Sequence, residues 1–246
     1  MSAPCPEKLH MKSMTIILSV LCLLLVLDNA VFAEPYLMLD ASPATYLSAP
    51  EESIFATEPE FTLYALVNSD APEWSESDLT RTFYLSAALV PDPGETDPML
   101  GSYTFDDGAT ISTINVVGDM TYGTPPIEGY LKQNDLPSHG IFETYFYEHE
   151  FQLDPLQTTA LYDSQVNPGG PDLSTDGPLY YQDFEVDISG LASGYALHFD
   201  LYTKGSDSID KFAPFSHDLV TTPIPPSVII GLIGMGVAGL KLRKYS

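Results

Sequence analysis

Between residues 34 and 222 the apolar residues come in short runs, and in the clearest of these they alternate with polar ones. Tyr195-Ala196-Leu197-His198-Phe199-Asp200-Leu201 sends every second side chain to one face, and Phe184-Glu185-Val186-Asp187-Ile188 does the same. That two-residue period belongs to a strand with one buried side. Further runs rich in aromatic and β-branched residues cover 36–41, 61–67, 82–90, 101–105, 111–117, 142–153, 179–188 and 195–203, punctuated by Pro, Gly and Asp, the composition that suits strands. No stretch carries a sustained 3.6-residue apolar stripe. Eight or more strands at this spacing predict an all-β, single two-layer β-sandwich or jelly-roll-like domain. The segment PDPGETDP at 91–98 predicts an exposed loop.

The two ends have a different pattern. Residues 14–27 (MTIILSVLCLLLVL) carry no charge; Lys8 and Lys12 precede them, and Ala30-Val31-Phe32-Ala33 follows before Glu34. A basic start, an apolar centre and small residues before a cut between Ala33 and Glu34 describe a secretory signal peptide over 1–33. Fourteen helical residues rise about 21 Å, short of the ~30 Å hydrocarbon core that a permanent membrane helix must cross. Both cysteines, Cys5 and Cys22, lie upstream of the cut. The processed chain is therefore expected to hold no disulfide, thiolate nucleophile or Cys-ligated metal.

At the other end, 228–240 (VIIGLIGMGVAGL) is an uncharged glycine-rich run. Pro223-Ile224-Pro225-Pro226-Ser227 introduces it, and Lys241, Arg243 and Lys244 close it. It predicts a short transmembrane helix whose cationic end stays in the cytoplasm, leaving 34–222 on the far side. The proline cluster, serine, short apolar helix and basic tail together resemble the PEP-CTERM sorting signal read by exosortases of Gram-negative bacteria. Ile224 stands where the name-giving motif has Glu. The resemblance implies an exosortase-like sorting enzyme as a partner beside signal peptidase, with 223–246 as the sorting segment; a plain single-pass anchor is the alternative.

The middle region also resembles the bacterial choice-of-anchor N family, whose members share an exported domain and differ in their C-terminal anchors. The residues that carry the likeness are 119–131 (DMTYGTPPIEGYL), 135–146 (DLPSHGIFETYF), 198–202 (HFDLY) and 210–218 (DKFAPFSHD). The resemblance implies location and domain limits, and supplies no catalytic residues.

Charge narrows the partners. The whole chain has a formal charge of −25. The region 34–222 holds 32 acids against Arg81, Lys132, Lys204 and Lys211, a formal charge of −28. Nucleic acid is excluded as a partner, because a phosphate backbone is held by cations this region lacks.

One local constellation suggests a cofactor. Asp172, Ser174, Asp176, Pro178 and Asp183 occupy positions 1, 3, 5, 7 and 12 of a twelve-residue stretch with Gly177 at position 6, the oxygen-donor spacing of a calcium loop. The flanks read as Pro/Gly turn and strand instead of helices, so an ordinary polar turn is the competing reading. The histidines downstream of the cut, His139, His149, His198 and His217, match no zinc spacing. No Gly-x-Ser-x-Gly is present, since 190–194 reads GLASG. Clustered aromatics at Tyr145, Tyr147, Tyr180 and Tyr181, with Trp74 in an acidic loop, suit either a sugar-stacking surface or ordinary sheet packing.

These readings converge on an exported, non-enzymatic cell-surface or extracellular-matrix protein, with exopolysaccharide as a candidate partner. A carbohydrate-active enzyme using a carboxylate pair and a calcium-dependent adhesion module stand as alternatives.

Overall fold

The computed structural model describes residues 35–48, 52–95, 99–134, 143–206 and 208–221. The signal segment and the 223–246 sorting segment lie outside the described residues. Among the described residues no helix is long and apolar enough to cross a membrane.

Among the described residues fourteen strands build two sheets: β1 (Leu37–Ser42), β2 (Ala44–Leu47), β3 (Ser53–Ala56), β4 (Glu60–Asn68), β5 (Phe83–Val90), β6 (Ser102–Asp106), β7 (Ile111–Asn115), β8 (Thr121–Gly123), β9 (Thr144–Phe151), β10 (Thr158–Thr159), β11 (Leu179–Asp187), β12 (Ala196–Lys204), β13 (Ile209–Phe212) and β14 (Leu219–Val220). Sheet A runs β1-β4-β11-β6-β7, with β10 beside β11. Sheet B runs β2-β3-β14-β12-β5-β9-β8, with β13 beside β12. Every pairing is antiparallel except β3 with β14. The chain is the all-β sandwich its alternation predicts.

That alternation fixes the core. Phe61, Leu63, Ala65 and Val67 of β4 and Phe184 and Val186 of β11 point from sheet A toward Phe83, Leu85, Ala87 and Leu89 of β5 and Leu197, Phe199 and Leu201 of β12, all buried in one cluster. The register keeps the faces aligned, with Phe184 opposite Leu63 and Val186 opposite both Phe61 and Phe105. Slipping one strand by a residue would turn its whole apolar set to the other face.

The outward faces are treated differently. On sheet B a helix, α2 (Pro126–Gln133), covers the β12 end. It follows the four-residue helix α1 (Val116–Asp119). Proline starts α2 because its fixed φ suits the first helical turn and its missing N–H costs nothing there. Ile127 and Leu131, four residues apart, then share one face and bury against Tyr202 and Ile209. The sequence pattern predicts neither this short stripe nor α1. On sheet A, residues 160–171 form a strap across the β1–β4 side, where Met38, Tyr64, Leu66 and Leu179 make a second buried cluster with Tyr162 and Tyr181 against it.

The strand expected over 111–117 stops at Asn115. There Asp119 turns back to accept from the Asn115 backbone N–H at 2.7 Å and its amide at 2.9 Å, and the chain winds into α1.

Candidate functional site

The twelve-residue stretch read as a calcium loop divides in two. Asp172 Oδ1 accepts from the Ser174 N–H (3.0 Å) and Oγ (2.6 Å), and the Asp172 carbonyl from Thr175 N–H (3.2 Å), which is a local polar turn of the kind Asp favours. The Pro178 carbonyl accepts from both Ser69 N–H (2.9 Å) and Ser69 Oγ (2.8 Å). Asp176 is exposed. From Leu179 the chain is extended strand, so Asp183 lies about 13 Å further along at the ordinary rise per residue. Asp172 and Ser174 meet; Pro178 and Asp183 face other partners.

Asp183 joins a different neighbourhood. With Gln182 and Glu185 of β11, the β6–β7 turn residues Asp106, Asp107, Gly108 and Ala109, and Asp154 and Gln157 from before β10, it lines a cleft of about 420 Å³ on the outer face of sheet A. The sheet register explains the assembly, since Glu185 pairs directly with Asp106 and Asp183 lies on the same face two residues earlier. The turns fix the other acids. Asp106 accepts from Gly108 N–H (2.9 Å), Asp107 from Ala109 (2.9 Å) and Thr110 (2.7 Å), and Asp154 from Leu156 (2.9 Å). Glu185 Oε1 accepts from Thr62 Oγ1 at 3.0 Å. The Gln157 side-chain oxygen is buried without a described partner. Five carboxylates held in place by backbone turns and a sheet present acceptors toward solvent. Such a surface attracts cations and hydrogen-bonds hydroxyl-rich molecules. Among the described residues no group of three His, Cys, Asp or Glu side chains is arranged to hold a metal ion.

Three of the four cations of the described region are turned back onto the protein, while Lys132 stands exposed on α2. Arg81 bonds Asp210 (3.0 Å) and Asp78 (3.3 Å). Lys204 pairs with Glu148 at 2.7 Å over the ring of Tyr84. Lys211 donates to the Glu73 carbonyl above the ring of Tyr36.

The histidines occupy three separate settings. His198 is buried on the outer face of sheet B, with Nε2 3.3 Å from Asp200 and 3.5 Å from Asp218. His217 Nδ1 lies 3.1 Å from Ser216 Oγ and 3.2 Å from Gln165 Nε2, and burial holds its pKa below the ordinary value. His149 points inward from β9 and stacks on Phe105 at 3.6 Å, where burial pulls its pKa down to about 4. His139 lies outside the described residues.

The aromatic groups are spent on packing. Trp74 stacks on Tyr180 at 5.2 Å, Tyr145 is buried edge-on to Tyr122, and Tyr181 packs on Tyr64.

The sequence reading found Asp183 and missed Asp106, Asp107, Asp154, Gln157 and Glu185 as its neighbours. The one local signal was Asp106-Asp107-Gly108, a hairpin-turn composition. The convergence of three chain segments is invisible without the register. Ala33 and Glu34 at the cleavage position, and Pro223, Ile224, Pro225, Pro226, Ser227, Lys241, Arg243 and Lys244 of the sorting segment, lie outside the described residues.

No family model matches the chain, and no curated protein matches it. Among solved structures, the chain is similar to the collagen binding domain of Erysipelothrix rhusiopathiae surface protein RspB, at 5% sequence identity and a TM-score of 0.25, over 77% of this chain and 46% of that one, so it spans less than half that domain's length.

Proposed function

We propose that the chain is an exported, non-enzymatic cell-surface or extracellular-matrix protein of a Gram-negative bacterium, which contacts exopolysaccharide through the acidic cleft of sheet A. The observation that carries this reading is the disposition of charge. Arg81, Lys204 and Lys211 are folded back onto their own acids, carbonyls and rings, whereas Asp106, Asp107, Asp154, Asp183 and Glu185 face outward from a rigid sheet. A body so charged stays dissolved and keeps polyanions at a distance. Its fixed acceptors suit the many hydroxyl donors of a neutral sugar polymer.

The apolar run at 14–27 and the proline-led segment 223–246 supply the route: signal peptidase cutting after Ala33, then an exosortase-like enzyme or simple anchoring in the membrane. Cell fractionation with intact-mass measurement tests the route. A form beginning at Glu34 in the envelope or medium, lacking the basic tail, supports sorting. The same start with Ser246 retained replaces sorting with anchoring. An unprocessed chain in the cytosol overturns the reading.

The cleft is tested by titrating the exported protein with polysaccharide shed by the producing cells. Retention without release of new reducing ends, weakened by Asp183→Asn with Glu185→Gln, is the expected outcome. Release of reducing ends abolished by Glu185→Gln would transfer the protein to the carbohydrate-active enzymes. Binding that requires added calcium would make it a calcium-dependent adhesion module.

A further inference from the structure

Among the described residues no strand pairs with the outer edge of sheet A along β7, and the hydrogen-bond phase of that edge is fixed at both ends. Val116 N–H donates to the Gly101 carbonyl at 3.1 Å, and Asp107 N–H to the Thr110 carbonyl at 3.4 Å. In an antiparallel ladder bonded and non-bonded pairs alternate, so Ser112 and Ile114 spend their backbone groups on Phe105 and Tyr103 of β6. The backbone groups of Ile111, Thr113 and Asn115 point away from the sheet. Asp119 confirms this phase by taking the Asn115 N–H from outside. The N–H and C=O of Ile111 and Thr113 have no partner among the described residues.

An exposed edge is a template for another strand, and proteins blunt such edges with charge, proline or a bulge. β7 has none of these. It pairs with β6 residue for residue over five pairs, contains no proline, and lies inside 109–118 (ATISTINVVG), ten successive uncharged residues in a chain of formal charge −25. Within it Ile111 stands 71% exposed. The opposite edge strand of the same sheet, β1, has Leu37 to Ala41 wholly buried.

We propose that β7 is a self-association edge, on which a second copy of this chain adds its own β7 antiparallel about a two-fold axis. Charge selects this occupant. Copies of so acidic a protein repel one another over most of their surface, and β7 is a stretch where they meet without opposing like charges. A basic partner would find no carboxylate along the strand to pair with. Centred on Ser112, the two-fold sets Ile111 of one copy opposite Thr113 of the other, and the outward groups of both residues exchange four N–H···O=C bonds. Asp106, Asp107 and Asp119 flank the contact along the chain and Glu185 lies beside Asp106, so salt strengthens it by screening them.

Sedimentation velocity of the full chain in detergent micelles, across a concentration series at low and high salt, tests the proposal. The expected result is a monomer–dimer equilibrium, about tenfold tighter at the higher ionic strength. Thr113→Pro removes an N–H that β6 does not use, and Ile111→Glu places a like charge on the edge beside Asp106. Each is expected to weaken dimerisation at least about tenfold while leaving the urea midpoint near wild type. If the proline variant fails to fold, the glutamate variant decides. A chain monomeric at every concentration overturns the proposal, and leaves an extended segment of another protein as the edge's occupant. A dimer unchanged by both substitutions also overturns it and assigns association to another surface.

Discussion

On the β1–β4 half of sheet A's outer face, the buried carboxylate of Asp40 gathers four donors: Ala41 N–H at 2.7 Å, Gly169 N–H at 3.1 Å, Gly170 N–H at 2.9 Å and the Tyr162 hydroxyl at 2.8 Å. Together they hold the strap over Met38, Tyr64 and Leu66. On the β11–β6–β7 half the carboxylates sit on turns and on β11 facing water, and among the described residues nothing lies over them and no strand pairs with the outer side of β7. The same residue types do opposite work. A carboxylate removed from water must have its lone pairs filled by fixed donors, and filling them ties two chain segments together. A carboxylate left in water needs only one local donor to be oriented, and keeps an oxygen for something outside. The closed half is built for stability, and the open half leaves its acceptors free for the contact proposed above.

The largest effect that separates the halves is expected from Asp40→Ala. It strands the Gly169, Gly170 and Tyr162 donors in a buried site and should cost roughly 3–5 kcal/mol in urea denaturation. A cost below ~1 kcal/mol would show that the strap is not held by this cluster.

A gentler probe contrasts two glycines of positive φ. Gly170 (φ +93°) is pressed against the Tyr64 ring, where an added Cβ would come within 2.7 Å, while Gly108 (φ +81°) has open space around it. Gly170→Ala should therefore cost about 2–3 kcal/mol and Gly108→Ala about 1 kcal/mol, since only the backbone conformation opposes the second. Equal costs would mean that the strap yields as freely as the turn.

Two buried groups, His149 of the open half and Asp40 of the closed half, should also answer pH with opposite signs, while His217, whose pKa burial lowers as well, adds to the acid-side loss from beside the strap. His149, beneath the open half, titrates near pH 4 because burial disfavours its charged form. The unfolded chain binds its proton from about pH 6.5 downward, so stability falls as pH drops through that interval, by at most ~3 kcal/mol. Asp40 is shifted the other way, burial raising its pKa against the four donors, so its protonation favours the folded state. Urea midpoints measured between pH 4 and 7 should lose most of their acid-side decline in His149→Phe, which keeps the stack on Phe105. An unchanged decline would place the acid sensitivity elsewhere.

The smallest effect belongs to the cleft. Asp183→Asn and Glu185→Gln should change stability by no more than ~0.5 kcal/mol, with any gain shrinking in high salt as mutual repulsion is screened. A loss above ~1 kcal/mol would make these acids structural and erase the distinction between the halves.

How far the sequence disclosed this follows from the range of the forces involved. The alternation at 184–188 and 195–201 reveals β11 and β12 and their buried faces, because side-chain period is a property of the strand alone. The short strands β2, β3, β13 and β14 escape notice, since two to four residues carry too little period and are held by their neighbours. Helix α2 presents barely two turns, below the length at which a stripe declares itself. The calcium-like spacing at 172–183 treats as a closed loop a stretch whose second half is drawn straight by pairing with β4. Asp40 reads as one polar residue in an apolar run, and its role depends on donors about 120 residues away. The cleft likewise depends on register, so no local motif announces it.

The claim that the open half is the working surface is tested most directly by hydrogen–deuterium exchange on the exported protein, with and without polysaccharide shed by the cells that produce it. The account predicts added protection in the β6–β7 turn at 106–111 and along 182–187, with the strap at 160–171 unchanged. Protection confined to the strap, or absent from both halves while binding persists, would contradict it.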